Sequence, residues 1–398
     1  MVNVSKKVRV LYSFPHKLGA QRICYLGWQI VNSLAAAGAD VTVITGVLQR
    51  PLPKSVKVMT TLSYGKLRVP YKLLGTLRAC MLHDYLVSRK IQGLAGKIDL
   101  VHTWPLGALR TLDMAKRLGI PTVIERCNAH TKFAYEVVQR ECERVGIALP
   151  PDHEHAYKKD YLVREEEEYR QAYRILCPSD FVAQTFIDQG FSKEQLVRYG
   201  YGFDETKCYP DHKLKNNQDG LTFLFAAGCA PRKGLHFALE AWLKSTACRN
   251  GTFLIVGDFV PGYAEKLSPM MAHPSVKYLG YRHDLPDVMR QSDVLVLPSI
   301  EEGSALVTWD GRGCGCVLVV SDSTGAPCKH LENALVHQAG DIETLAKHMS
   351  MLHEDRNLYN RLRENSLRTT SQMTWTYSGV RLLDVYRDIL ASWNTDNH

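Results

Sequence analysis

Two open parallel α/β sheets in series are the fold class this sequence predicts, and three observations predict it. Apolar runs of strand length alternate with longer segments of helical period along almost the whole chain. That is the pattern of strands covered on both faces by crossover helices. The alternation stops once, in the polar, aperiodic stretch ETKCYPDHKLKNNQDG (205–220), and then restarts. The 398 residues exceed what one compact core organises and suit two domains.

In the first half, strands are expected at VRVLYSF (8–14), DVTVIT (40–45), DLVHTW (99–104), PTVIERC (121–127), YRILCPS (173–179) and QLVRYGYG (195–202). After the break they are expected at LTFLFAAG (221–228), GTFLIVGD (251–258), SVKYLGY (275–281), DVLVLPS (293–299) and CVLVVSDS (316–323). Residues 205–220 read as an interdomain linker between a domain over 1–204 and one over 221–375. Open parallel sheets bind ligands beyond the carboxyl ends of their strands. Candidate site residues therefore stand directly after the strands.

Composition narrows the class. With 45% hydrophobic and 23% charged residues the chain has the balance of a globular protein. No run approaches the ~20 apolar residues of a membrane span. The N-terminus enters a strand without a signal-like apolar region, so a cytoplasmic location is expected. The 11 scattered cysteines suit that compartment. Cys314 and Cys316 have no partner pair at zinc spacing, so a structural role is expected and no metal site. The net charge of +8 points to an anionic ligand or surface.

Two constellations carry chemistry. In PSIEEGSALVTWDGRGCGC (298–316) a buried-strand pattern empties into Glu302 and Gly303, and a helix is expected to start near Ser304. Glycines 311, 313 and 315 are expected to stop it. The first helix amides suit a phosphate, and Gly303 leaves room for a ligand at the backbone. Glu302 and Asp310, about two turns apart on one face, suit ligand hydroxyls. A phosphate flanked by two such carboxylates describes a nucleotide sugar. An acidic residue complementing the helix dipole and a solvated Asp would be the plainer explanation. In FAAGCAPRKGLHFALEAW (225–242), Arg232 and Lys233 follow a strand at a helix N-terminus, where the dipole disfavours cations. Something anionic is expected to compensate, and a diphosphate fits a guanidinium beside an ammonium.

These residues meet a known family. LFAAGCAPRKGLHFALEAW resembles the donor-site loop of retaining GT-B glycosyltransferases of the family 4 type, the group 1 glycosyl transferases. PSIEEGSALVTWDGRGCGCVLVVSDSTGA is similar to their Glu-x7-Glu segment. Further likenesses are LYSFPHKLGAQR, REEEEYRQAYRILCPSDFVAQTF with GYGFD after it, and MTWTYSGVRLLDVYRDIL. The resemblance spans nearly the whole chain. It implies two Rossmann-like domains facing across a cleft, the first completed by a final helix over 376–398. It also implies transfer of a sugar from a nucleotide donor with retention of configuration.

Residue by residue, the resemblance places Glu302 on donor-sugar hydroxyls and Gly303, Ser304, Ala305 and Leu306 at the sugar and diphosphate. Asp310 falls at the ribose-binding carboxylate, one methylene shorter than the usual Glu. Arg232 and Lys233 match the basic pair that neutralises the leaving diphosphate. Gly19 matches the loop that brings backbone to the donor phosphate or acceptor. His130 matches a histidine that reaches the donor sugar, and Arg282 sits where the base is met. The reaction expected is hexosyl transfer through an oxocarbenium-like transition state, without a bound metal and without another cofactor. A nucleotide-sugar epimerase on the same fold and a non-catalytic binding module are the alternatives.

The partners expected are a nucleotide sugar and an acceptor that is a sugar, a glycan or a lipid-linked saccharide, not a nucleic acid. The segment KLRVPYKLLGTLRACMLHDYLVSRKIQ (66–92) mixes cations with apolar residues. It could rest peripherally on the inner face of an anionic membrane, or simply pack on its own sheet.

Overall fold

The computed structural model describes residues 7–65, 67–69, 74–211 and 220–396. Residues 212–219 of the expected linker, 66 and 70–73 of the basic apolar segment, and 397–398 of the final helix lie outside the described residues.

The first half forms β1 (Arg9–Leu18), β2 (Asp40–Leu48), β3 (Lys57–Thr60), a small hairpin of β4 (Ser63–Tyr64) and β5 (Leu67–Arg68), β6 (Leu100–Thr103), β7 (Thr122–Glu125), β8 (Arg174–Cys177) and β9 (Leu196–Arg198). Seven of these make one sheet in the order β3-β2-β1-β6-β7-β8-β9, parallel throughout. The second half forms β10 (Thr222–Ala226), β11 (Thr252–Val256), β12 (Val276–Tyr278), β13 (Val294–Leu297), β14 (Val317–Ser321) and β15 (Ala334–His337). They order as β12-β11-β10-β13-β14-β15, again parallel. The central strands are buried on both faces, as Val10, Leu11, Leu100 and Val101 show in one sheet and Leu224, Phe225, Val294 and Leu295 in the other. Two parallel α/β sheets in one chain are the predicted fold class.

The differences have local causes. β3 and β15 were not expected: KVMT is a partly exposed edge and ALVH is short, so neither reads as a long apolar run. β1 runs on to Leu18 through an irregular register between Phe14 and Lys17, where Pro15 has no amide to give the ladder. The expected strand 195–202 is only Leu196–Arg198. Beyond it the chain leaves the sheet, and Phe203 bridges to Thr374 instead. The helix expected near Ser304 is Leu306–Gly313. It runs through Gly311 and Gly313 because both press against neighbours, Leu295 and Phe203 respectively. It ends before Gly315, which takes φ +84°.

The last helix, Trp375–Asp396, packs along Ile23–Ala36, its Gly379 flush against the Ser33 backbone. Tyr386 on that helix shares a 2.6 Å hydrogen bond with His102 Nδ1, and His102 Nε2 stands 3.4 Å from Glu125 Oε2. Tyr201 donates to the other oxygen of Glu125 at 2.8 Å. A buried polar chain thus ties the final helix to β6 and β7. Glu125 directly precedes the loop that faces the second half.

Candidate functional site

The strand ends of the two sheets face each other. Between them lies a cavity of about 430 Å³ lined by Arg232, Lys233, Glu302, Ser304, Ala305 and Leu306 from the second half, and by Arg22, Ile23, Asn128 and Glu154 from the first. The sequence-predicted pair and the predicted glutamate therefore converge.

Local structure explains the convergence. After β10, Pro231–Lys233 forms a single tight turn, and Gly234 at φ +73° hands the chain to helix Leu235–Lys244. Gly234 sits against the Pro298 carbonyl, and Ile300 N donates to Arg232 O at 3.0 Å. The two loops are thus laced by backbone, so their side chains meet. Arg232 Nη1 lies 3.0 Å from Glu301 Oε2 and 3.2 Å from Glu302 Oε2. Lys233 Nζ is paired with Glu302 Oε1. The anions that compensate the two cations in this structure are carboxylates of the protein.

The electrostatics follow from that quartet. Burial alone would raise the Glu302 carboxyl, but Arg232 and Lys233 overcome it and hold its pKa below the ordinary value. Burial and the neighbouring Arg232 lower the Lys233 ammonium, with Glu302 opposing. For Arg232 burial opposes charge, yet Glu302 and Glu301 raise it. Arg232 Nε and Nη2 have no acceptor among the described residues. Ala305 N donates to Thr324 O at 3.3 Å, whereas Leu306 N and Val307 N have no protein acceptor among the described residues. The wall of the cavity thus offers unpaired guanidinium donors, free helix amides and an ionised carboxylate, a set that can hold an anion and adjacent hydroxyls.

Glu301, one residue from the predicted glutamate, makes a contact between the halves. It is fully buried. Its Oε1 accepts from Ala129 N at 3.0 Å, and its Oε2 is 3.9 Å from His155 Nδ1. Gly303 is not open to a ligand as expected. The Cys127 carbonyl of the first half fills the space a Cβ would take, and Ser179 Oγ donates to Gly303 O. The glycine is there for close approach of two backbones.

Other predicted residues stand elsewhere. His130 is packed among Phe186, Tyr169 and Phe191 at ring distances of 4.9, 5.7 and 5.6 Å. Its Nδ1 caps the helix Thr131–Val145 by accepting from Lys132 N. Burial pushes that imidazole down to about 3. This corrects the expectation that it reaches into the cleft: a cap residue at a buried helix start turns its ring to the core. Asp310 does not line the cavity. It is half-buried beside Cys208, whose Sγ donates at 3.6 Å. Burial is the main cause that pushes it up to about 7. Arg282 is exposed and paired with Asp284 at 2.6 Å. Gly19, at φ +87°, shapes the turn that delivers Arg22 to the cavity. Cys314 and Cys316 are buried and donate to the carbonyls of Pro286 and Met289.

A second cavity of about 300 Å³ adjoins the first on the side of the first half, the two sharing Ile23, Cys127, Asn128 and Glu154. His155 lines it, buried, with Nε2 lacking a hydrogen-bond partner among the described residues. Burial first and Arg232 second hold this imidazole well below its ordinary pKa, so it stands neutral. His155 and Glu301 were missed in the sequence. His155 lies in a polar loop without periodicity, and Glu301 differs from its neighbour only by which side of the loop it faces.

Comparison with known proteins agrees with this architecture. Residues 220–355 match the family model described as Glycosyl transferases group 1, and residues 28–206 match that of Glycosyltransferase Family 4. The chain is 30% identical over 288 residues to the UDP-Gal:alpha-D-GlcNAc-diphosphoundecaprenol alpha-1,3-galactosyltransferase of Escherichia coli, covering 65% of this chain and 67% of that protein. It is 29% identical over 119 residues to an N,N'-diacetylbacillosaminyl-diphospho-undecaprenol alpha-1,3-N-acetylgalactosaminyltransferase of Campylobacter jejuni, covering 29% of this chain and 31% of that one. Among solved structures, Anabaena HepE in complex with UDP superposes with a TM-score of 0.68 at 18% identity, over 96% of this chain and all of that one. Sucrose-phosphate synthase from Thermosynechococcus elongatus does so with 0.71 at 18% identity, over 97% of this chain and 100% of that one. With both sheets, the strand-end cleft and both family models in agreement, the chain belongs to the group 1 glycosyltransferases of the GT-B fold.

Proposed function

We propose that this protein transfers a hexose from a nucleotide-sugar donor to an acceptor hydroxyl with retention of anomeric configuration, in the assembly of a glycolipid or glycan. The observation that carries the reading is the meeting of Arg232, Lys233, Glu302 and the free amides of Leu306 and Val307 in one cavity. The donor diphosphate takes Arg232, Lys233 and the amides, and Glu302 accepts from sugar hydroxyls. Departure of the nucleoside diphosphate builds negative charge where these donors already point, and each such donor is typically worth ~10²–10³ in rate. The acceptor occupies the adjoining cavity, where neutral His155 holds its hydroxyl. Attack comes from the face the leaving phosphate vacates, and that phosphate takes the proton.

The names of the relatives support the substrate classes. Two of them act on diphosphoundecaprenol-linked saccharides, and HepE was solved with UDP and glucose. A lipid-linked acceptor would bring the protein to the cytoplasmic membrane face. Helix Thr76–Ile91 carries exposed Met81 and Tyr85 among Arg78, Arg89 and Lys90. No helix among the described residues is long and apolar enough to cross a membrane. The test is incubation of the purified protein with UDP-sugars and undecaprenyl-diphosphate-linked acceptors, with product anomers assigned by NMR. Retained configuration supports the reading, whereas an inverted product or no turnover with any donor overturns it.

A further inference from the structure

The interdomain cleft has another compartment. The contacts of Gly303 with Cys127 and Ser179, together with the Trp309 ring against Gly200, close off the donor cavity. Beyond them lies a cavity of about 630 Å³, larger than either described above. Its walls come from the ends of β8 and β9, from the loop between β14 and β15, and from the final helix Trp375–Asp396. Nothing in the proposed reaction uses it.

Its chemistry is specific. Three cations line it, Arg198, Lys329 and Arg381, with two acids, Asp180 and Asp322. Arg198 is engaged by Asp180 at 2.8 Å, and Asp322 accepts from Ala339 N at 3.1 Å. Lys329 has only an exposed pairing with Glu332 at 3.6 Å, a kind worth little in water. Arg381 has no carboxylate partner among the described residues. One positive charge is therefore left over among these five groups, and Lys329 and Arg381 are the two cations of the lining that no buried carboxylate holds among the described residues. Lys329 belongs to the second half, while Arg381 rides on the helix that packs against the first. Around them are groups that suit a sugar ring. Tyr377 is 40% exposed and stands one helical turn before Arg381, on the same face. Asn333 uses its carbonyl oxygen on Lys329 N at 2.8 Å, which leaves its amide donors for a ligand. Gln372 adds a second amide.

We propose that this compartment binds a phosphorylated saccharide, with the phosphate held between Lys329 and Arg381 and the ring against Tyr377. Because the two cations belong to opposite halves, an occupant holds the halves together, and it does so away from the reacting groups. The inference stands on the cavity and does not depend on which sugar is transferred.

The experiment is isothermal titration of the full chain with glucose 6-phosphate, glucose 1-phosphate and mannose 6-phosphate in turn, with glucose and inorganic phosphate as the separated parts. Saturable binding of at least one sugar phosphate is expected, unchanged by saturating UDP. The separated parts are expected to bind roughly tenfold more weakly or worse. Lys329→Ala and Arg381→Ala are both exposed substitutions, and each should weaken binding by roughly tenfold, the loss of one charge-assisted bond. An unchanged melting temperature without ligand shows that each variant is folded. Silence with all three sugar phosphates overturns the proposal, as does inorganic phosphate binding equally well. Displacement by UDP would assign the binding to the donor cavity instead. A variant of either cation that binds as the wild type would refute the bridge between halves.

Discussion

Lys233 is surrounded by two needs that oppose each other. Burial disfavours its charge, and Glu302 restores it. In Lys233→Ala the buried Glu302 keeps Arg232 and a long bond from Ser299 Oγ, and the leaving diphosphate loses one cation. We expect a roughly 10–100-fold fall in transfer, the value of one charge-assisted bond made in the transition state, with the circular dichroism of the folded chain retained. Arg232→Ala should behave similarly, and a double variant with full activity would remove the pair from the chemistry. Asp310 is subject to a different balance. Its carboxyl is pushed up to about 7 from 3.8, chiefly by burial. A folded-state pKa raised in this way stabilises the fold below the ordinary carboxyl range, and that stability is lost as pH rises to about 7. Asp310→Asn should therefore gain about 1–2 kcal/mol over the wild type at pH 8, discounted for half-exposure, and nothing at pH 4. Melting temperatures at the two pH values decide it.

At the scale of elements, the loop Pro298–Ala305 has two faces. One carries Glu302 into the cavity, and the other presses Glu301 and Gly303 onto the loop after β7. A methyl at position 303 would collide with the Cys127 carbonyl, and overpacking of this kind costs about 1–3 kcal/mol. Gly303→Ala should leave each sheet folded but force the halves apart. Solution scattering should show a larger radius of gyration, and transfer should fall by at least about tenfold. A variant with unchanged radius and rate would mean that the contact does not matter for closure.

Over the whole molecule, charge decides whether an ion is needed. Arg232 and Lys233 bring two positive charges, and the helix Leu306–Gly313 adds roughly half a charge at its N-terminus. Glu301 and Glu302 already balance the cations, so a diphosphate must draw them away rather than find them idle. We still expect transfer without a divalent metal. Initial rates after dialysis against EDTA, with and without Mg²⁺, should agree within twofold, and activity restored only by metal would contradict this account.

Much of this was legible in the sequence because it rests on local periodicity. Continuous apolar runs marked the buried parallel strands, and the stretch around 205–220 marked the change of sheet. Arg232, Lys233 and Glu302 could be singled out because residues after parallel strands must face a crevice, whatever the rest of the chain does. What only the tertiary structure decided concerns which side of a loop a residue faces. Two adjacent glutamates read alike in sequence, yet Glu301 spans the halves and Glu302 faces the cavity. His130 and His155 are likewise not told apart by their neighbours in the sequence. One is turned into an aromatic cluster by its duty as a helix cap, and the other lines a cavity between the halves and feels the charge of Arg232. Such outcomes depend on contacts between residues up to 172 positions apart, as for Glu301 and Ala129. No window of local pattern contains them, because the partner that fixes the rotamer lies far along the chain, on the other half for Glu301 and on helix Asp180–Ile187 for His130.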